Sequence, residues 1–143
     1  AKPVPVNPMY FKNPRKGMLW VALAGPATNL ALAVISAVVI KIIIASTAVI
    51  PYPPFTHKII ITVLIMLEAS VWINLLLCIF NFLPIPPLDG SRILVGLLPE
   101  NIARSYLSFE RYGFIIVLIL AFTGILSKVI SPIITFAHSL LRT

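Results

Sequence analysis

Long apolar runs are the feature of this sequence that most limits its fold. Residues 18–44 and 59–82 are almost uninterrupted apolar stretches, and a third run begins near Tyr112. In a helix, about 20 residues cross a hydrocarbon core about 30 Å thick. Only 10% of the 143 residues are charged, whereas about a quarter is usual in a soluble domain. The sequence therefore predicts an all-α, polytopic membrane protein with about three transmembrane helices.

The order of apolar and polar stretches predicts a single membrane domain over residues 1–143. Residues 1–17 are proline-rich and basic, which excludes a continuous helix and suits a lead-in at the membrane surface. The alternation in "KPVPVNP" favours an extended edge or hairpin strand there. We expect membrane segments at 18–44, 59–82 and 112–131, with a broken helix and a surface segment at 83–111.

The net charge of +7 is distributed in a way that indicates lipid contacts. The basic residues lie mostly between apolar runs, and no aromatic-basic stripe suggests nucleic acid. Seven Lys and Arg residues lie in the N-terminal flank and the 91–111 segment, against four on the opposite side. The excess of positive charge predicts that the N-terminal flank and the 91–111 segment are cytoplasmic.

The second apolar run ends in a proline break that is followed at once by a carboxylate, in the stretch "FNFLPIPPLDGSRIL". Pro84, Pro86 and Pro87 each remove a backbone donor, and such a break survives in lipid only if protein or water covers it. A carboxylate at membrane depth costs about 2.5 to 3.5 kcal/mol and indicates a functional site. The alternative is an interfacial turn in which Asp89 caps the next helix.

Other polar side chains lie inside the predicted membrane helices. Asn74 and Asn81 are seven residues apart and share a helix face. Asn29 follows Gly25, where another backbone could come close. Packing between helices is the simple role for each asparagine, although Asn81 lies against the break. Glu68 is either a neutral, hydrogen-bonded acid or a partner of Lys41 or Lys58.

Three motifs give the sequence a family resemblance. "NFLPIPPLDGSRIL" resembles the NxxPxxPLDG signature of the site-2 protease family of intramembrane zinc metalloproteases. "LAGPATNLALA" resembles the glycine-proline-asparagine helix of that family, and "AKPVPVNPMYFKNPRKGM" resembles the segment that leads into it. The resemblance extends to about Gly113 and is strongest to the small bacterial and archaeal type.

The resemblance implies a zinc site within the membrane and substrates that are transmembrane proteins. Asp89 matches the aspartate ligand of zinc, which in the family is completed by two histidines of an HExxH helix. Asn81 matches the residue that supports the substrate carbonyl or the oxyanion, and Pro84 and Pro86 belong to the substrate-binding break. We expect structural rather than catalytic roles for Gly25, Asn29, Asn74 and Gly90.

The sequence contains no HExxH, so two zinc ligands and the general base of the family are missing from it. We expect a C-terminal part of a site-2 protease core that binds zinc only with those histidines and is inactive alone. His57 and His138 have no partner at i+4 and are not expected to bind metal. Two alternatives stay open: a non-catalytic relative that binds membrane helices, and a carrier component with broken helices.

Overall fold

The computed structural model of the protein describes residues 10–49 and 53–142, and most of these residues are helical. No strand occurs in the described residues, which confirms the predicted all-α class. The six helices are α1 (Pro14–Val49), α2 (Pro54–Phe82), α3 (Asp89–Leu97), α4 (Glu100–Leu107), α5 (Glu110–Phe122) and α6 (Ile125–Arg142).

In the described residues, three helices are long and apolar enough to cross a membrane, which is the number that the sequence predicted: Pro14–Ala48, Phe55–Phe82 and Ile125–Arg142. A fourth crossing is formed if α4 and α5, which are bent by 63° at their junction, act as one span. The extended strand expected in "KPVPVNP" lies outside the described residues. The structure describes the lead-in only from Tyr10, and α1 begins at Pro14 within it.

Small side chains let α1 and α2 pack closely as an antiparallel pair, with α6 against them. Ala33 and Ala37 of α1 are buried against Val71 and Leu75 of α2. Ile130 and Ile134 of α6 complete this core. Because lipid provides no hydrophobic driving force between helices, membrane helices associate by close packing, and small residues at the interface allow their backbones to come close.

The C-terminal part differs from the expected single segment at 112–131. The structure divides it, because α5 ends at Phe122 and α6 begins at Ile125. Gly124 between them has a φ of 72°, a left-handed conformation that glycine adopts without steric cost and that ends a helix. The helix was also expected to end near Pro132, yet α6 continues through Pro132 to Arg142.

Candidate functional site

The proline break is a tight, irregular segment of residues 83–88 between α2 and α3. The amides of Leu83, Ile85 and Leu88 donate to the carbonyl oxygens of Phe80, Leu83 and Ile85, at 3.1, 2.8 and 3.0 Å. The other three residues of the segment are prolines, which have no N–H. Every backbone donor of the break is therefore already used, and the segment can offer only carbonyl acceptors to another molecule.

Asp89 is the first residue of α3, and its carboxylate points at α1. A Cβ atom added to Gly25 would lie 2.8 Å from Asp89 Oδ2, closer than a carbon atom tolerates. The absence of a side chain at Gly25 is therefore what admits the carboxylate. Burial raises the pKa of the Asp89 carboxyl, and the charge of Arg92 partly opposes this rise.

The capping interpretation of Asp89 is wrong in the described structure. Leu88 occupies the N-cap position of α3, and no side-chain capping bond is present there. The Ser91 hydroxyl instead donates back to the Leu88 carbonyl at 2.7 Å. The Asp89 carboxylate forms no hydrogen bond or ion pair with any described residue, and the charge of Arg92 acts on it from beyond ion-pair distance. A half-buried carboxylate oxygen with no hydrogen-bond donor among the described residues can accept a ligand.

Gly90 follows at the point where α3 returns against the end of α2. A Cβ atom there would collide with the carbonyl oxygens of Phe82 and Leu83. Because these are backbone atoms, they cannot move aside as a flexible side chain would. Gly90 therefore fixes how closely Asp89 approaches the end of α2.

The three asparagines of the predicted membrane helices differ in their hydrogen bonding. Asn74 Nδ2 donates to the Ser70 carbonyl at 2.8 Å and to Ser70 Oγ at 3.2 Å. Ser70 Oγ lies 3.0 Å from Ser36 Oγ, so a hydrogen-bonded chain joins α2 to α1. Asn29 and Asn81 are half-buried, and their side chains form no hydrogen bond with a described residue. The expected interhelical bond of Asn29 is thus not present in this part of the chain.

Two residues that the sequence did not single out hold the break from its other side. The Tyr106 hydroxyl donates to the Pro84 carbonyl at 2.5 Å. Gly113 is buried against Pro86, and a Cβ atom on Gly113 would overlap the Pro86 carbonyl oxygen. No local sequence pattern predicts either contact, because each contact joins residues more than 20 positions apart. Helices α4 and α5 therefore support the segment that carries Asp89.

A second polar cluster lies between α2 and α6. The predicted hydrogen bond of Glu68 exists, but its partner is His138, with 2.7 Å between Oε1 and Nε2. The His138 ring also stacks on Trp72, with ring centroids 4.6 Å apart. Neither Lys41 nor Lys58 forms an ion pair with Glu68 in the described residues. The sequence offered no reason to join residues 70 positions apart.

The described residues do not form a metal centre by themselves. No group of three or more His, Cys, Asp or Glu side chains is close enough to hold an ion in residues 10–49 and 53–142. Asp89 supplies one carboxylate oxygen donor of the kind that zinc accepts. The other donors of a zinc site are not among the described side chains.

Comparison with known proteins places these features in a family. Residues 5–127 match the family model described as Peptidase family M50. The chain is 36% identical over 138 residues to "Putative zinc metalloprotease YwhC" of Bacillus subtilis (strain 168), a match that covers 94% of this chain. The match spans 59% of that relative's length. No solved structure matches the chain.

Proposed function

Because the chain belongs to peptidase family M50, the site-2 protease family, we propose that it forms the metal-ligand and substrate-binding half of an intramembrane metalloprotease. Membership of this family supports the metalloprotease class. The position of Asp89 in the structure supports our assignment of the site. Its carboxylate is half-buried, has no hydrogen-bond or ion-pair partner in the described residues, and enters a space that only a glycine at position 25 leaves open.

Zinc is the metal that the family implies, but the side chains of this chain do not complete a site for it. Asp89 would be one ligand, and the two histidine ligands would have to come from an HExxH helix that the sequence does not contain. When bound by such a set, zinc activates water and polarises a carbonyl. By itself, the chain is therefore expected to bind zinc poorly and to cleave nothing.

The amide side chain of Asn81 is our candidate for the group that holds the substrate carbonyl. The break cannot do this, since all its backbone N–H groups are used or replaced by proline. Asn81 lies two residues before the break, and its Nδ2 donors are not bonded to any described residue. A substrate carbonyl or oxyanion needs such a donor at hydrogen-bond distance.

The break itself would receive the backbone N–H groups of an unwound substrate segment. Each carbonyl oxygen has two lone pairs, so the exposed Pro84 carbonyl can accept a second bond beside that of Tyr106, whereas Gly113 covers the carbonyl of Pro86. The substrates we propose are transmembrane proteins whose helix unwinds near the membrane surface. The excess of Lys and Arg supports a cytoplasmic position for the N-terminal flank and the 91–111 segment, in a multi-pass protein of the cell membrane.

One of the two alternatives loses its support in the structure. A carrier component would need a second broken helix, and the glycine-proline stretch "AGPATN" at residues 24–29 is where the sequence could supply one. That stretch lies inside continuous α1, which runs through Pro26 without a break. A non-catalytic relative that binds membrane helices through the same site would have the same geometry, and it differs only in lacking zinc and cleavage.

The test is Asp89→Asn in the intact protein, purified in detergent. We expect bound zinc, measured by elemental mass spectrometry, and cleavage of a transmembrane substrate to fall together to background. Glu100→Gln is the matched control, because Glu100 is an exposed acid that pairs only with Arg104. If Asp89→Asn keeps its bound zinc and its cleavage, the assignment is refuted. If the wild type has neither bound zinc nor cleavage, the protein is the non-catalytic relative.

A further inference from the structure

A cavity of about 180 Å³ between α1, α2 and α6 contains ionisable side chains that the proposed protease site does not use. Lys41, Glu68, His138 and Arg142 all line it. These residues belong to the three helices that are apolar enough to cross a membrane. Ionisable groups in such helices are costly, so a cluster of them indicates a binding function.

The charges in this cavity do not balance. Glu68 is the only acid among the described residues that line the cavity, and its carboxylate is bonded to His138 at 2.7 Å. Lys41 and Arg142 form no ion pair with any residue in the described ranges. Two cations against one acid leave the cavity positively charged, which favours an anionic ligand.

A groove of about 330 Å³ shares residues with this cavity, and its other walls are apolar. Glu68 and Arg142 line both spaces. Ile40, Ile44, Leu64 and Ile65 form the remaining walls of the groove. A small inorganic anion would gain nothing from such walls, whereas a molecule with a charged head and a hydrocarbon chain would fill both spaces.

We propose that the cavity and the groove together bind one anionic phospholipid. Its phosphate lies between Lys41 and Arg142, and an acyl chain lies along the isoleucine and leucine side chains of the groove. The bond between His138 and Glu68 fixes α6 against α2, which holds Arg142 at the rim of the cavity. Basic side chains near a membrane surface attract acidic lipid headgroups.

The test is native mass spectrometry of the intact protein, released from bilayers of phosphatidylcholine that contain a titrated fraction of phosphatidylglycerol. We expect one phosphatidylglycerol to stay bound to the wild type. The double variant Lys41→Gln with Arg142→Gln should bind it about thirtyfold more weakly. This follows from about 1 kcal/mol per basic residue near an acidic headgroup, with 1.4 kcal/mol for each factor of ten.

A matched control carries the same change in charge elsewhere. Lys58→Gln with Lys128→Gln removes two exposed cations outside this cavity and should leave binding unchanged. Glu68→Gln removes the only acid of the cavity but keeps an acceptor for His138, and should bind the lipid at least as tightly as the wild type. Circular dichroism checks that each variant keeps its helix content.

Three outcomes would overturn the proposal. Equal retention of phosphatidylcholine by the wild type would mean that only unspecific surrounding lipid is held. An equal loss of binding in the control pair would mean that total charge decides. Displacement of the lipid by inorganic phosphate would mean that the cavity holds a free anion and that the apolar groove plays no part.

Discussion

Replacing Gly25 with alanine should separate the stability of the protein from its activity. In the middle of a helix, alanine is more favourable than glycine by about 0.8 to 1 kcal/mol. The added Cβ would lie 2.8 Å from Asp89 Oδ2, where ordinary contact requires at least 3.4 Å. The Asp89 carboxylate must then move by about half an ångström from the position that we assign to a metal ligand. In an active site, a displacement of about 1 Å can lower the reaction rate about a hundredfold.

We therefore expect Gly25→Ala to be as stable as the wild type or slightly more stable, with bound zinc and cleavage reduced about tenfold or more. The assay is a thermal unfolding curve of the intact protein in detergent beside zinc content and cleavage of a transmembrane substrate. Ala31→Gly is the control, because Ala31 is exposed on the same helix. It should lose about 1 kcal/mol of stability and keep its activity. Full zinc content and cleavage in Gly25→Ala would refute the reasoning.

Three further substitutions test other contacts by thermal unfolding in detergent. Tyr106→Phe removes the bond to the Pro84 carbonyl and should cost about 0.5 to 1.5 kcal/mol; an unchanged unfolding temperature would show that the bond has no net value. His138→Ala leaves Glu68 without its partner and should cost about 1 to 3 kcal/mol, and adding Glu68→Gln should recover part of that loss. Ser70→Ala breaks the link between α1 and α2 and should cost about 0.6 kcal/mol; a loss above about 2 kcal/mol would contradict this.

The sequence predicted those parts of the fold that depend on local hydrophobicity and on proline. The two long membrane helices and the break before Asp89 follow from residues that are adjacent in the chain. The division of the C-terminal segment was missed because Thr123 and Gly124 interrupt an apolar run without a charge or a proline. Pro132 was read as a helix end, although α6 continues through it.

The candidate site was predictable in its residues but not in its contacts. Asp89 and Asn81 were found from the motif, and the close approach of Gly25 to Asp89 is a consequence of packing that only the structure shows. Tyr106 and His138 were missed for a physical reason. Each bonds to a group 22 or 70 positions away, and no periodic pattern records such a distance.

The lack of free N–H groups in the proline break has a consequence for inhibitor chemistry. A peptide that lies along residues 83–88 can only donate hydrogen bonds to them. Methylation of an amide nitrogen and replacement of that amide by an ester both remove the N–H donor, but the ester carbonyl is also a weaker acceptor than the amide carbonyl. In a scan of a peptide inhibitor, a position whose N–H faces the break should therefore lose affinity with either change, and a position whose carbonyl is held by Asn81 should lose affinity only with the ester.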